Sequence, residues 1–210
     1  MTLPTSGTLS LDAINTEFNL GRNLGAYRGV RWYKDDNSRG FFDNNSSGNG
    51  PPTDFSEFYG TRKTIPVTPT GDVSYGNGSY FTVPFYNRLI IKLQGGSGGS
   101  GGGAGNTWPS TYTAGNPGGT GGSSQFGSWV TAAGGGGGAG DSGGGAQAGA
   151  PGQYIEYTIN ADTTPNAPLK NTQIQIFVGS GGSAGTGGGN WPQGGSGSSG
   201  SSGYVTVKVE

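Results

Sequence analysis

The chain has 210 residues, of which 48 are glycine, 30% hydrophobic and 11% charged, with a net charge of −1. That balance leaves no basic surplus for a nucleic-acid backbone, and the absence of cysteine and histidine excludes disulfides, thiolate metal sites and imidazole acid–base chemistry. It also lacks the self-repulsion of typical disordered chains, and no apolar run approaches the roughly 20 residues that span a bilayer.

The opening, MTLPTSGTL, has neither a basic n-region nor an apolar h-region, so no signal peptide is expected. SLDAINTEF then reads as a short helix. Ser10 is placed to cap it, Asp12 suits the positive helix start, and Leu11, Ile14 and Phe18 share a face. Gly21 is the expected stop. NLGAYRGVRWY is aromatic and basic, and NNSSGNGPPT reads as a loop. In DFSEFYG, Asp54 and Glu57 form a capping box over one turn, with Phe55, Phe58 and Tyr59 apolar. Asp35, Asp36 and Asp43 are the one place for a calcium ion, but no EF-hand spacing is present and a solvated loop is the better reading. Residues 1–64 are too few for a large core, so small folded pieces docking onto something else are expected. IPVTPT, residues 65–70, reads as a short stiff linker because its prolines favour extended chain.

Residues 71–210 alternate between two textures. The first is strand-like, with apolar side chains at every second position. SYFTVPF carries Phe81, Val83 and Phe85; RLIIKL carries Leu89, Ile91 and Leu93; QYIEYTI carries Ile155, Tyr157 and Ile159; TQIQIFV carries Ile174, Ile176 and Val178; YVTVKV carries Val205, Val207 and Val209. FGSWVTA is a weaker sixth candidate. The second texture is glycine at every third position: Gly179, Gly182, Gly185 and Gly188, then Gly194, Gly197, Gly200 and Gly203. The same step runs through Gly134, Gly137, Gly140, Gly143, Ala146, Gly149 and Gly152, and two adjacent phases are small from Gly95 to Gly105.

A period of three belongs to the extended left-handed helix of the polyproline II type, which makes no internal hydrogen bonds. With one edge bare, two such helices approach closely enough for their backbones to bond sideways. The competing reading is a flexible glycine linker. Counting small phases places 95–105 at the centre of a bundle and 179–188 at its edge. The fold expected is therefore mainly β: a small antiparallel β-sandwich-like core with a glycine-rich bundle of polyglycine helices, and short helices only in residues 1–64.

Two patches interrupt the glycine. NTWPSTYTAGNP holds Asn106, Trp108, Tyr112 and Asn116; GNWPQ holds Asn190 and Trp191. Rings in stiff loops give contact area at low entropy cost, and asparagine gives adaptable hydrogen bonds. These side chains either meet a saccharide or a protein loop, or cap the ends of the bundle. Trp32 and Trp129 read as packing residues. Chance GxGxxG matches lack a strand–helix context, Asp141 and Ser142 lack a base, and no carboxylate pair stands out. No catalytic residue, cofactor or metal is assigned.

The order of YFTVPFYNRLIIKLQGGSGGSGGG, APGQYIEYTI, IQIFVGSGGSAGTGG and SSGYVTVKVE resembles the glycine-rich tip domains of bacteriophage tail-fibre proteins, and SLDAINTEF, NLGAYRG and DFSEFYG resemble short modules of phage tail proteins. The resemblance implies a virion adhesin of the tail, facing the external medium. Residues 1–64 would attach to other tail or fibre proteins through Phe18, Tyr27, Phe55, Phe58 and Tyr59. Residues 71–210 would present loops 106–117 and 189–193, and by extension 123–131, to a host-surface glycan or outer-membrane protein. A homotrimer is an analogy with fibres. Two other readings stand beside it: a structural or decoration protein of the particle without receptor binding, and an ice-binding protein.

Overall fold

The computed structural model describes residues 2–36, 38–42, 55–107, 111–143, 145–190 and 192–210. The expected loop at 44–53, Asp43 and the capping residue Asp54 lie outside them. The chain is mainly β, with antiparallel sheets and, among the described residues, one α-helix.

Helix α1 spans Leu11–Phe18. The Ser10 hydroxyl accepts the Ala13 N–H at 3.2 Å, and Ile14 and Phe18 are fully buried. The helix ends earlier than Gly21: Asn19 takes the left-handed conformation at φ 59°. Asparagine tolerates that conformation, and the Asn15 side chain then accepts the Gly21 N–H at 2.7 Å. A 3₁₀ turn at Leu24–Tyr27 follows, then a hairpin of β1 (Arg31–Tyr33) and β2 (Arg39–Phe41), and a second 3₁₀ turn at Phe55–Phe58.

This part builds its own core. Leu3, Ile14, Phe18, Tyr27, Phe42 and Phe58 are buried together, and Phe18, Tyr27, Phe42 and Phe58 meet mostly edge-to-face with centroids 4.2–6.4 Å apart. The expectation that Phe18, Tyr27 and Phe58 face a partner is corrected: all three have no exposed surface. Phe55 and Tyr59 are half-buried, and the Tyr59 hydroxyl donates to the Gly7 carbonyl. Each such ring pair adds about 0.5–1.5 kcal/mol beyond the area it buries.

Residues 71–210 fold into two four-stranded antiparallel sheets. The first has the order β10 (Tyr154–Asn160), β5 (Arg88–Gln94), β12 (Tyr204–Val209), β3 (Val73–Tyr75). The second has β4 (Tyr80–Thr82), β11 (Gln173–Phe177), β8 (Ser124–Phe126), β9 (Val130–Ala132). Their inward residues form one cluster: Leu89, Ile91, Leu93, Ile159, Val205, Val207 and Val209 from the first sheet, Phe81, Ile174, Ile176, Phe126 and Ala132 from the second. Each fully buried aliphatic side chain contributes about 1.5–3 kcal/mol. FGSWVTA is not one strand. It contains the end of β8, a turn over 127–129 and β9, because Gly127 sits at φ 51° and reverses the chain.

Beyond the sheets the chain continues as six extended segments with no strand or helix: 95–104, 114–123, 133–141, 147–153, 178–188 and 194–203. Each prolongs a strand or leads into one. Backbone hydrogen bonds join them at every third residue. In the first segment Gly95, Gly98 and Gly101 donate to 147–153, Gly96, Gly99 and Gly102 to 114–123, and Ser97, Ser100 and Gly103 to 194–203. Its carbonyls accept from Gly135, Gly138 and Asp141 on one side and Gly182, Gly185 and Gly188 on another, all at 2.7–3.0 Å. The first segment thus bonds to all five others.

Two details differ from the glycine phases. The single row from Gly134 to Gly152 is two antiparallel segments, because Asp141 turns the chain by accepting the N–H groups of Gly143 and Gly145 at 2.7 and 2.9 Å. Segment 178–188 is not at the edge: it bonds to 95–104, 114–123 and 194–203, whereas 147–153 and 194–203 bond to two segments each. Its second small row, Gly181, Ala184 and Gly187, accounts for this. A β-carbon at Gly181 or Gly187 would collide with the backbone at Gly200 or Gly194.

The transition from sheet to glycine is a taper. Packed sheets stand about 10 Å apart, too far for backbone bonds between layers. At the seam the fully buried Ser124 hydroxyl donates to the Gln94 carbonyl at 2.6 Å and accepts the Gly179 N–H at 3.0 Å, linking the two layers where large side chains give way to none.

Candidate functional site at the loop end

The chain order sets an axis. Residues 1–64 meet the sheets at the start of β5 and the end of β10. Arg39 Nη1 donates to Asp162 at 2.9 Å and its Nη2 to the Tyr86 carbonyl at 2.7 Å, Arg31 also binds Asp162, and the Lys170 N–H donates to the Asp36 carbonyl at 2.9 Å. Phe85, expected to alternate inward, instead lies at this junction, with Lys170 Nζ 4.1 Å from its ring centroid. The linker is pinned as well: Thr70 exchanges bonds with Val209. A cleft of about 240 Å³ opens beside the junction, lined by Ser38, Arg39, Tyr86, Ala161, Thr164 and residues 166–169, but the Arg39 head group is already committed to Asp162 and Tyr86.

From β5 the segment 95–104 runs away from this junction, and every return starts from the far end. Three connections gather there: the hairpin of β6 (Gly105–Thr107) and β7 (Thr111–Thr113), the turn begun at Asp141, and the turn begun at Gly189. Asn106 pairs with Tyr112 across the hairpin, donates its N–H to the Pro192 carbonyl and accepts the Asn190 N–H, both at 3.1 Å. The sequence-predicted Asn106, Tyr112 and Asn190 are therefore brought together. Tyr112 is 53% exposed, and a β-carbon at Gly143 would sit 3.8 Å from its hydroxyl, so the turn begun at Asp141 passes beside it at Gly143. Trp108 and Trp191 lie outside the described residues.

Asn116 belongs to the array instead. Its backbone is bonded to Gly102 and Thr186, and its side-chain amide donates to the Thr186 hydroxyl at 2.6 Å. The stretch 123–131 is also separate: its turn sits at the sheet end, and Trp129 packs partly buried on the sheet core. Sequence reading missed the turn at Asp141. Its signal was Asp141, a carboxylate inside pure glycine, which also accepts the Ala104 N–H at 3.4 Å.

Among the described residues the gathered loops, with the Asp141 that turns one of them, carry that one charged side chain beside hydroxyls, amides and a phenol. Among the described residues no group of three carboxylates stands close enough to hold a metal ion, Asp35 is paired with Arg62, and Asp36 accepts from Ser38. No helix among them is long and apolar enough to cross a membrane. Comparison with family models, with curated proteins and with solved structures finds no match to this chain.

Proposed function

We propose that the chain is a non-enzymatic virion protein of a phage tail, at a fibre or at the tail tip, whose loop end touches the host surface. The observation that carries this reading is the polarity of the molecule. A compact module sits at one end of the β core, and three connections meet at the other end of a hydrogen-bonded array. We also read the six segments as a bundle of polyglycine helices. The three-residue step of their hydrogen bonds and the collisions that a β-carbon would cause at Gly98, Gly99, Gly118 and Gly182 support that reading. Such an array holds loops rigidly without bulky side chains, so the ordering cost of binding falls on few residues.

The loop chemistry suits a neutral glycan or a protein loop rather than a polyanion. Leu20 and Phe41 are the exposed large apolar side chains among the described residues of 1–64, and they replace the buried rings as contacts for a neighbouring tail or fibre protein. A homotrimer remains part of the proposal by analogy with fibres, and light scattering reads it.

The test is adsorption. The purified chain binds cells of the phage host, and Trp108→Ala, Tyr112→Ala and Trp191→Ala together abolish binding while leaving the circular dichroism spectrum unchanged. Undiminished binding by the triple variant refutes the loop assignment and leaves a structural role in the particle. Fast amide exchange from Gly134 to Gly152, as in an unstructured peptide, refutes the bundle. The outward row Ser180, Ser183 and Thr186, exposed at regular spacing, supports the ice-binding alternative, which a thermal hysteresis measurement decides.

A further inference from the structure

The two sheets present different faces to solvent. The first carries Arg88, Lys92, Glu156 and Lys208 along its outward positions, with Lys92 paired to Asp72. The second, β4–β11–β8–β9, contains no residue charged at neutral pH. Its inward positions serve the core. Its outward ones are Tyr80 on β4, Gln173, Gln175 and Phe177 on β11, Gln125 on β8 and Thr131 on β9, beside Thr82.

Register places them side by side. Tyr80 lies opposite Gln175, and Phe177 lies opposite Gln125, which lies opposite Thr131. Tyr80 and Phe177 are diagonal neighbours on one face, about 7–8 Å apart. They are 54% and 40% exposed, large apolar surfaces left in water on strands whose other side is fully packed. Phe177 and Asn190 flank opposite ends of segment 178–188, which spans roughly 30 Å as extended chain, so this face is distinct from the gathered loops.

We propose that this sheet face is a second binding site, for an uncharged polysaccharide. The chemistry selects that occupant. Phenyl and phenol faces stack on the C–H face of a sugar ring. Carboxamides donate and accept at once, matching vicinal hydroxyls, and the Thr131 hydroxyl adds a further partner. A nucleic acid or an anionic membrane surface requires cations, and none is present. An obligate protein interface is more apolar at its centre than this face, where three glutamines stand among the two rings.

The experiment is native gel electrophoresis of the full chain through gels containing dextran, starch, β-glucan, galactomannan or xylan, with alginate as the charged control. At least one neutral polymer retards the protein. Tyr80→Ala with Phe177→Ala weakens that retardation about tenfold or more, as does Gln175→Glu, which leaves both rings in place. Thr158→Ala, outward on the first sheet and outside both sites, does not change it. The proposal is overturned if no neutral polymer retards the chain, if alginate alone does, or if the ring and Gln175 variants migrate as the unsubstituted chain does. Host-cell adsorption by the loops is read separately and stands or falls without affecting this result.

Discussion

Replacing Gly98 by alanine adds one methyl group where the segment 95–104 faces 133–141. A β-carbon at Gly98 would lie 2.5 Å from the carbonyl carbon of Gly136 and nearer still to its oxygen. Ordinary carbon–carbon contact is about 3.5–4.0 Å, so the two segments must part by about 1 Å or more. The bonds from Gly135 to Gly96 and from Gly138 to Gly99 are 2.9 Å long, and that displacement takes them beyond hydrogen-bonding range. Losing two backbone bonds and leaving their groups enclosed costs about 2–4 kcal/mol. Against a total stability of about 5–15 kcal/mol, this lowers the melting temperature by roughly 5–15 °C. Gly136→Ala is the matched control. A β-carbon there meets nothing within 4 Å, and φ lies outside the left-handed region. By narrowing the unfolded ensemble it should stabilise by about 0.4–1 kcal/mol. Urea unfolding followed by circular dichroism compares the three proteins. Equal midpoints for Gly98→Ala and Gly136→Ala would refute the claim that bare backbone is the packing surface.

Two pH limits follow from an ion-paired carboxyl and a buried phenol. Desolvation pushes the Asp162 carboxyl up, but the Arg31 and Arg39 head groups outweigh it and hold the carboxyl below its usual range. A carboxyl depressed by folding stabilises above its unfolded value and loses that contribution as pH falls through the folded one. Acid should therefore loosen the junction below about pH 4. Asp162→Asn shortens the acid-unfolding limb, leaving the share of Glu210, which Lys208 and Arg88 also hold low. An unchanged limb removes Asp162 from the account. At the alkaline end, burial pushes the Tyr86 phenol up to about 12, its hydroxyl donating to the Pro168 carbonyl at 2.8 Å. A raised phenol stabilises below its unfolded value of about 10 and loses that contribution as pH climbs through the folded one. Ultraviolet titration should show a last phenol ionising near pH 12, and Tyr86→Phe should delete that step; its persistence would assign it elsewhere.

The strands were legible wherever alternation had room to show. RLIIKL, QYIEYTI and YVTVKV became β5, β10 and β12 because each is long enough for a period of two to stand out. β3, β6 and β7 have three residues each and no such pattern, so tertiary pairing alone defines them. Glycine phase gave positions within a segment but not its turns, since Gly140 and Gly143 look identical in sequence while Asp141 between them reverses the chain. At the loop end, Asn106 and Asn190 were found by their odd composition. The partners of Phe18, Tyr27 and Phe58 were misjudged because an aromatic row reads alike whether it faces a neighbour or its own chain.

The seam at Ser124 divides the molecule into halves with opposite thermal character. Unfolding the sheets exposes hydrocarbon and raises the heat capacity, whereas unfolding the glycine segments exposes mostly peptide groups, which lowers it. The heat-capacity increments partly cancel, so the free energy of unfolding varies gently with temperature. The chain would hold its loops in place across cold and warm media alike, where a domain stabilised by oil-like burial alone would soften on cooling.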